Sequence, residues 1–271
     1  MAENPPAQSL GTPLALGRTA EVYAWKEGTV LKLYHEWFPL QAIKYEERVA
    51  RAVYESGIPS PAVGEIIEVN GRFGLVYERV DGKPLMDYIS SKPGRFFQYA
   101  RMLAELQARM HTIVAAPSLP SQHQRMKQKI LEARVLPADL QQAALGMLEQ
   151  LPQGDRLCHG DYHPSNILMT EKGPLIIDWI DSTRGNPLAD VARTSLLMTK
   201  TPYAEGDPMR WLLVGLRDLF HRLYLRRYFQ LQPGSREELA RWLIVNAAAR
   251  LSEGIPEEKA LLAYLRAEMP K

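Results

Sequence analysis

"HGDYHPSNILM" (residues 159–169) decides the fold, because two histidines, an aspartate and an asparagine stand directly before an apolar run. The turn-forming letters "TEKGP" (170–174) follow, and a second apolar run, "LIID" (175–178), ends in an aspartate. Two apolar runs on either side of a turn are typical of a β-hairpin. The spacing therefore predicts a hairpin centred near Lys172, with polar residues at its open end.

The open end of this predicted hairpin carries two oxygen ligands. Asn166 and Asp178 are equally far from Lys172 in the sequence, so the hairpin would place them side by side. An amide oxygen and a carboxylate suit Mg²⁺, which binds through one or two protein oxygens and fills its shell with water and substrate phosphates. Asp161 stands five residues before Asn166 in the same loop. We predict that Asp161 acts as a base or orients a reacting group.

Single residues of this stretch also have plainer interpretations. Asp178 alone is as typical of a helix cap or a turn as of a functional site. His159 alone is more typical of a core histidine bonded to backbone than of a metal ligand, and His163 before Pro164 fits an ordinary loop. The pattern His-x-Asp-x-His could also hold a transition metal. That last interpretation leaves Asn166 and the hairpin unexplained.

Composition limits the class of protein. The chain has 271 residues, 46% hydrophobic and 24% charged, which is long enough for one large domain or two lobes. A net charge of +2 indicates neither a nucleic-acid partner nor a membrane surface. The single cysteine, Cys158, excludes an internal disulfide. No signal-like segment or spanning apolar run is apparent, so we predict a cytoplasmic enzyme or binding protein.

The sequence pattern of the first part of the chain predicts mostly β-strands. After a predicted flexible tail (1–10), the pattern predicts a β-hairpin, a helix and a second hairpin whose turn is "NGR". These elements make an N-terminal lobe over residues 11–80, and the turn cluster "DGKP" (81–84) is the predicted linker. Within the lobe, "VLKL" places Lys32 between apolar residues. A lysine there either extends its amine to an edge or is held by a partner.

The rest of the chain, residues 85–271, is predicted to be mostly helical. One core helix carries an apolar face made of Phe96, Ala100, Leu103, Leu106 and Met110. Two more helices are expected between residues 121 and 151, separated at Pro137, and helix resumes from about Pro208. The predicted fold class is therefore α+β, with a small β-rich lobe before a larger helical one.

The motifs together resemble the aminoglycoside phosphotransferase and choline kinase family. Its pattern is His-Gly-Asp, four residues, Asn, and then an apolar strand that ends in Ile-Asp-Trp or Ile-Asp-Phe, all of which this chain has. "GNPLADVAR" is similar to a downstream segment of that family and marks Asp190. The resemblance spans about Leu16 to Arg193. It implies a protein-kinase-like two-lobe fold and transfer of the γ-phosphate of ATP, with Mg²⁺, to a small-molecule hydroxyl.

The resemblance assigns roles to further residues. Asp161 is the implied base, and Asn166 and Asp178 are the implied magnesium ligands. His159 and Asp190 brace the catalytic loop. Lys32 holds the phosphates through a pair with a helix carboxylate, for which we expect Glu47, with Glu46 as the alternative.

The nucleotide-binding contacts follow from the same resemblance. Gly17 remains in the phosphate loop, although alanines stand at the other two glycine positions of "ALGRTAEV" and put the loop's phosphate contacts in doubt. Val22 and Val30 should face the adenine. The hinge should be Tyr77 to Val80, with Glu78 and Val80 offering backbone groups to the base.

Several functions stay open at this point. The alternatives to a small-molecule kinase are a nucleotide-binding pseudokinase with a regulatory role, a protein kinase and a metallohydrolase. Gly160 in place of the usual arginine, and the lack of a long activation segment after Asp178, argue against a protein kinase. Asp181 is either a turn former or a substrate-facing acid.

The acceptor is equally open between an aminoglycoside, a choline-like amine and a sugar-like alcohol. Carboxylates would bind the first and an aromatic cage the second. The candidate acids are Glu205, Asp207, Asp218, Glu253, Glu257, Glu258 and Glu268, and the candidate aromatics are Trp179, Tyr203, Trp211, Tyr224 and Trp242.

Overall fold

The computed structural model describes residues 10–200 and 209–269. The predicted tail up to residue 9, and the acceptor candidates Tyr203, Glu205 and Asp207, lie outside these ranges. The chain divides into two compact units. Unit 1 comprises residues 10–84 and Ile167–Ile180, and unit 2 comprises Leu85–Asn166 and residues 181–269.

Unit 1 contains an antiparallel five-stranded sheet in the order β1-β2-β3-β5-β4. Its strands are β1 (Ala15–Leu16), β2 (Ala20–Ala24), β3 (Thr29–Tyr34), β4 (Val63–Val69) and β5 (Arg72–Glu78), and helix α1 (Leu40–Glu55) lies between β3 and β4 in the sequence. The hairpin-helix-hairpin prediction is therefore confirmed. Asn70 and Gly71 have φ of 51° and 78°, which suits the tight turn predicted at "NGR".

The alternation of side chains gives this sheet two apolar faces. Leu31 and Leu33 of β3 pack with Tyr23 and Val69 on one face. Tyr34 of β3 belongs to a second cluster, with Ala20, Ile43 and Leu75, in which Ile43 comes from α1. Because successive residues of a strand point to opposite faces, Lys32 lies on the face that α1 covers. The fold thus brings Lys32 to helix α1.

Unit 1 also contains a three-stranded sheet in the order β6-β8-β9, made of β6 (Lys83–Pro84), β8 (Ile167–Thr170) and β9 (Gly173–Ile176). The predicted hairpin is present, and its register pairs Ile167 with Ile176, half a residue from the expected centre at Lys172. The predicted lobe boundaries differ from the units of the structure at this point. The prediction places residues 167–180 in the helical lobe, whereas the structure places them in unit 1. The pairing of β6 with β8 ties the hairpin to the N-terminal part of the chain instead.

Unit 2 is mostly helical. Its helices are α2 (Leu85–Ser91), α3 (Phe96–Met110), α4 (Gln122–Glu132), α5 (Ala138–Gln150), α6 (Pro187–Lys200), α7 (Arg210–Leu231), α8 (Arg236–Arg250) and α9 (Glu258–Glu268). A short ladder of β7 (Arg156–Cys158) and β10 (Thr183–Gly185) completes it. Side-chain oxygens of Ser121 and Ser235 cap α4 and α8 by accepting backbone N–H groups. The fold class, including the helical C-terminal region, is as predicted.

The two helices around Pro137 and the core helix that begins at Phe96 lie where the sequence pattern predicts them. Among residues 10–200 and 209–269, no helix is both long and apolar enough to span a bilayer.

Candidate active site

Lys32 of β3 is held between two carboxylates in unit 1. Its Nζ lies 2.7 Å from Oε1 of Glu46 on α1 and 3.7 Å from Oδ1 of Asp178. The hydroxyl of Tyr77, on β5, donates to the same Glu46 oxygen at 3.0 Å. The lysine is thus fixed by partners, which is one of the two possibilities that its apolar surroundings allow.

The prediction that Glu47 pairs with Lys32 is wrong. Glu46 is buried with Ile43, Val49 and Val53 on the inner face of α1. Glu47 is one residue on, about 100° around the helix, where it pairs with Arg51 at 2.7 Å. The apolar face of α1 therefore selects Glu46, the alternative.

The charges around Lys32 keep its amine protonated. Burial acts to lower the pKa of Lys32, but the negative charges of Glu46 and Asp178 outweigh that effect, so the pKa stands above its ordinary value. The protonated amine is a positively charged hydrogen-bond donor, which is suited to bind anionic oxygens. Burial and the Glu46 carboxylate also raise the pKa of Tyr77 well above its ordinary value, so its hydroxyl remains a donor.

Asp178 adopts a backbone conformation that is uncommon for a non-glycine residue. It comes two residues after β9 with φ of 64°, and its side chain is 45% exposed. Such conformations cluster at functional sites, because the fold must hold them against their intrinsic cost. The conformation directs an accessible carboxylate to within 3.7 Å of the Lys32 amine.

The predicted nucleotide contacts lie on the same sheet. Val22 pairs with Lys32 across β2 and β3, and Val30 is two residues before Lys32, so all three share one face. Gly17 opens the turn between β1 and β2, where its N–H donates to the Ala20 carbonyl at 2.9 Å. That these residues contact a nucleotide stays a prediction.

The predicted hinge has part of its backbone already bonded. The N–H of Glu78 donates to the Ala62 carbonyl at 2.8 Å, and that of Arg79 donates to the Gly28 carbonyl at 2.9 Å. The Glu78 side chain accepts from the N–H of Ala62 at 3.1 Å. The contacts of the Glu78 carboxylate are thus structural, and its carbonyl and the N–H of Val80 remain the proposed base contacts.

Asp161 lies in a loop of unit 2 that fixes its carboxylate from several sides. The amide nitrogen of Asn166 donates to the Asp161 carbonyl at 2.9 Å and to its Oδ2 at 3.2 Å. Nε2 of His163 lies 3.5 Å from Oδ2, and Nη2 of Arg193 lies 3.9 Å from Oδ1. The amide nitrogen of Asn166 is therefore committed to Asp161.

These contacts keep Asp161 ionised. Burial acts to raise the pKa of Asp161, but His163 and Arg193 lower it by more, and the net effect is a pKa below the ordinary range. The Asp161 carboxylate therefore stays ionised at neutral pH.

Asp190 contacts the Asp161 loop through its buried carboxylate. One of its oxygens accepts the N–H of Gly160 at 2.7 Å, and the other accepts from Gln107 at 2.9 Å and contacts Nε2 of His111 at 3.1 Å. Its side chain is 1% exposed. The charge survives burial because burial's upward effect on the pKa of Asp190 is exceeded by its hydrogen bonds, chiefly that to His111.

Sequence reasoning missed Gln107 and His111. Both are buried polar residues, one on helix α3 and the other directly after it. A polar residue among apolar ones at helical spacing was the available signal. Tyr224 and Tyr228 of α7 hydrogen-bond to Gln107 and His111, so both belong to this buried network and not to an exposed aromatic cage.

His159 and His163 do not assemble a transition-metal site. His159 is fully buried, and its Nδ1 accepts the N–H of Asp161 at 3.2 Å. His163 accepts the N–H of Ser165 at Nδ1 and turns Nε2 to Asp161. In the part of the chain that the structure describes, no three His, Cys, Asp or Glu side chains group as a metal site. The ring of His159 therefore bonds to the backbone of the Asp161 loop.

Comparison with known proteins now identifies the class. A sequence model described as the phosphotransferase enzyme family matches residues 11–230. The chain belongs to this family. It is a small-molecule kinase, as its motifs predicted. No curated protein gives a significant match.

Several solved structures with a similar fold are kinases of small molecules. A choline/ethanolamine kinase family protein from Mesorhizobium loti is 17% identical with a TM-score of 0.62, over 98% of this chain and 90% of that one. A thermostable mutant of an aminoglycoside phosphotransferase, in a ternary complex with ADP and hygromycin B, is 15% identical with a TM-score of 0.64, over 95% and 91%. An amicoumacin kinase in complex with AMP-PNP, Ca²⁺ and its ligand is 19% identical with a TM-score of 0.61, over 95% and 87%.

The phosphotransferase has a charged pocket in unit 2 beside the Asp161 loop. Gly160, Thr183 and side chains of α4, α6, α8 and the segment after α8 line it, and its charged residues are Arg125, Lys129, Asp181, Asp190, Arg193 and Glu253. Asp181 accepts from Arg125 at 2.5 Å, and Glu253 lies 3.0 Å from both Lys129 and Arg193. Asp181 stands in a turn and also lines this pocket.

The sequence analysis missed the three basic residues of the pocket. Arg193 stands in the motif that marked Asp190, three residues later on α6, which was a usable signal. Arg125 and Lys129 are on α4 and had no motif around them.

Proposed function

We propose that this kinase transfers the γ-phosphate of ATP to a hydroxyl of a small molecule, with Asp161 orienting that hydroxyl. The observation that carries the proposal is the Lys32–Glu46 ion pair at 2.7 Å, which leaves Asp178 next to the same amine. A buried lysine between two carboxylates has no evident packing role, whereas phosphoryl transfer needs such a lysine for the α- and β-phosphates.

The nucleotide is ATP in this proposal. Nucleotides of adenine, as ADP or AMP-PNP, are bound in the solved structures of two kinases with this fold. Val22 and Val30 provide an apolar surface on the Lys32 face of the sheet, and Glu78 and Val80 provide backbone groups for the base. Gly17 allows the backbone of the first turn to approach the phosphates.

The residues that would hold Mg²⁺ are Asn166, directly before β8, and Asp178, two residues after β9. They fit the ion because one presents an amide oxygen, its nitrogen being bonded to Asp161, and the other an accessible carboxylate. When bound, the ion neutralises phosphate charge. Asn166 and Asp178 would supply two ligands, and oxygens of water and of the substrate phosphates would complete the magnesium shell, as is usual in kinases.

The chain's own residues then act mostly by position and charge. Lys32, kept protonated by Glu46, binds phosphate oxygens. Asp161 accepts a hydrogen bond from the acceptor hydroxyl and directs its oxygen at the γ-phosphorus. The hydroxyl proton passes to the Asp161 carboxylate as the new P–O bond forms and the bond to ADP breaks, and Asp161, which holds it weakly, releases it to solvent. Asp190 and His159 keep the Asp161 backbone in place, which is the kind of contribution that positioning makes to catalysis.

The test is a screen of hydroxylated small molecules with the purified kinase, ATP and Mg²⁺, with phosphorylated product measured by mass spectrometry. The proposal expects at least one acceptor whose phosphorylation is lost in Asp161→Asn. ATP binding without phosphorylation of any acceptor would instead favour the pseudokinase alternative. Equal product from Asp161→Asn would reject the role of Asp161.

A further inference from the structure

We propose that Tyr77 is a positioning residue for phosphate binding, because its hydroxyl holds the Glu46 carboxylate in the orientation in which that carboxylate fixes the Lys32 amine. The proposal rests on the proposed function, since it concerns the lysine that is assigned there to the nucleotide phosphates. It gives the Tyr77 side chain a role that its place in the predicted hinge does not imply, because the hinge would contact the base through backbone groups.

The antiparallel sheet of unit 1 brings Tyr77 to the same face as Lys32. Across β3 and β5, Val30 pairs with Tyr77, and Lys32 pairs with Leu75. Directly opposite residues share a face of a sheet, and so does every second residue of a strand, so Tyr77 lies beside Val30 on the face that carries Lys32. Helix α1 covers this face, and Glu46 comes from that helix.

Two donors converge on one oxygen of Glu46. Nζ of Lys32 donates to Oε1 at 2.7 Å, and the Tyr77 hydroxyl donates to the same atom at 3.0 Å. Among the described residues, no hydrogen bond reaches the other oxygen, Oε2, although it is buried. The terminal torsion of a glutamate has a broad energy minimum, so one contact alone leaves the carboxylate free to rotate. The second donor therefore fixes the direction in which Oε1 points.

The protonation of Tyr77 gives this contact one direction. An ionised carboxylate only accepts hydrogen bonds, and a phenol that keeps its proton donates one. Burial and the charge of Glu46 raise the pKa of Tyr77 well above its ordinary value, so the hydroxyl stays a donor at neutral pH. A hydrogen bond to a charged acceptor stabilises more than one between neutral groups. The hydroxyl can therefore orient the carboxylate.

Asp178 makes the orientation of Glu46 important for Lys32. Its Oδ1 lies 3.7 Å from the Lys32 amine, so two carboxylates attract one ammonium group. A Glu46 carboxylate that could rotate would hold the amine less firmly against this second attraction. We therefore expect Tyr77 to act on bound phosphates through Glu46 and Lys32.

The first experiment removes only the hydroxyl of Tyr77. In Tyr77→Phe the ring remains, so its packing against the cluster that contains Ile43 and Leu75 is kept. Binding of ADP and of adenosine is measured by competition with a fluorescent ATP analogue in the presence of Mg²⁺. We expect ADP to bind about three- to tenfold more weakly to Tyr77→Phe. Adenosine has no phosphate for Lys32 and should bind within about twofold of its wild-type affinity.

Adenosine separates this role from a contact with the base. Tyr77 stands directly before Glu78, whose carbonyl is a proposed contact of the base, so a disturbed hinge would weaken the binding of both ligands alike. Equal losses of ADP and adenosine affinity, or an unchanged ADP affinity, would overturn the proposal.

Tyr23→Phe is the matched control. Tyr23 is on β2 of the same sheet and donates to Oε2 of Glu21 at 2.9 Å, so this variant loses the same kind of hydrogen bond. Tyr23 pairs with Leu31 on the face away from α1, and Glu21 binds Arg72. The ADP affinity of Tyr23→Phe should stay within about twofold of wild type. A loss as large as in Tyr77→Phe would assign the effect to general weakening of the sheet and reject the proposal.

A double variant tests whether Tyr77 acts through Glu46. Tyr77→Phe should lower the ADP affinity of Glu46→Gln by less than about twofold, because the charge that the hydroxyl orients is already gone. Independent losses that multiply in the double variant would overturn the proposal. Urea unfolding checks that each variant is folded.

The outcomes separate this proposal from the proposed function. A kinase that phosphorylates a hydroxyl in the screen but keeps its ADP affinity in Tyr77→Phe would overturn only the role of Tyr77. A wild-type protein that binds ADP and phosphorylates no acceptor would count against the proposed function, while a selective loss of ADP affinity in Tyr77→Phe would still support the role of Tyr77. Absence of ADP binding to the wild-type protein would overturn both.

Discussion

The amine of Lys32 and the carboxylate of Glu46 form an ion pair at 2.7 Å in which the acid is buried and the lysine is partly accessible. A pair of this kind is costly to break from one side, because the remaining charge stays in a poorly solvated place. The accessible lysine is then available for a second negative group, here Asp178 at 3.7 Å or a substrate phosphate.

The first prediction follows from this pair. Glu46→Gln should weaken ATP binding by about tenfold or more, because the lysine loses the charge that holds it in place. Glu47→Gln is the matched control on the same helix and should leave ATP affinity unchanged, since Glu47 pairs with Arg51. Fluorescence titration with a labelled ATP analogue measures both. A larger effect at Glu47 than at Glu46 would contradict the pairing.

The choice between Glu46 and Glu47 shows how far sequence reasoning reaches. Both glutamates fit the helical spacing of α1, and they differ by about 100° around its axis. Only the packing of Ile43, Val49 and Val53 decides which of them points inward. Strands such as Thr29–Tyr34 were predictable because their alternation is a local property, whereas the orientation of one residue depends on tertiary contacts.

Helix α6 was missed for a related reason. Its residues from Leu188 to Leu196 are all buried, so its polar side chains do not mark a solvent-exposed face there. Helix α2 has only 7 residues, which is too short for a clear helical period. The motifs for Asp161, Asn166 and Asp178 were found because each stands at a fixed spacing within one short stretch.

The charged pocket of unit 2 could not be predicted from the sequence, because its contacts join distant segments of the chain. Arg125 reaches Asp181, and Lys129 reaches Glu253, across separations of 56 and 124 residues. No local pattern in α4 indicates such partners. Only Arg193, close to Asp190 in the sequence, could have been suspected.

The second prediction concerns Asp161. Asp161→Asn should lower kcat by about 10²- to 10⁴-fold while ATP affinity stays within a few fold, because the amide keeps the shape but not the charge. The pKa of Asp161 is held below its ordinary range, so wild-type kcat should show no ionisation of this group between about pH 5 and 9. Steady-state kinetics over that range measures both properties. An acidic limb near about pH 6 that disappears in the variant would contradict this assignment.

The third prediction concerns the backbone before Asp161. Gly160 has φ of 81°, and a Cβ atom there would meet the backbone oxygen of Asp181. Gly160→Ala should therefore lower the free energy of unfolding by at least about 2 kcal/mol and reduce activity, because both the conformation and the space oppose a side chain.

Gly146→Ala is the control for Gly160→Ala. Gly146 lies within α5, and no atom stands within 4 Å of the place that an alanine Cβ would take. Alanine should therefore stabilise the protein by about 0.5–1 kcal/mol, as expected for a helix interior. Urea unfolding of both variants measures the difference. A Gly160 variant as stable as wild type would show that the catalytic loop relaxes without cost.

The fourth prediction concerns pH and His221 of α7. Burial lowers the pKa of His221 from 6.5 to about 4, and the ring lies 2.9 Å from the hydroxyl of Ser195. Between these two pH values the unfolded chain binds a proton at this residue and the folded chain does not. The free energy of unfolding therefore falls as the pH drops from about 6.5 to 4, by at most about 3 kcal/mol from this group.

His221→Gln should remove that part of the pH dependence in urea titrations at about pH 4.5 and 7.5, because glutamine can still bond to Ser195 but does not titrate. An unchanged difference between the two pH values would assign the acid sensitivity to other groups.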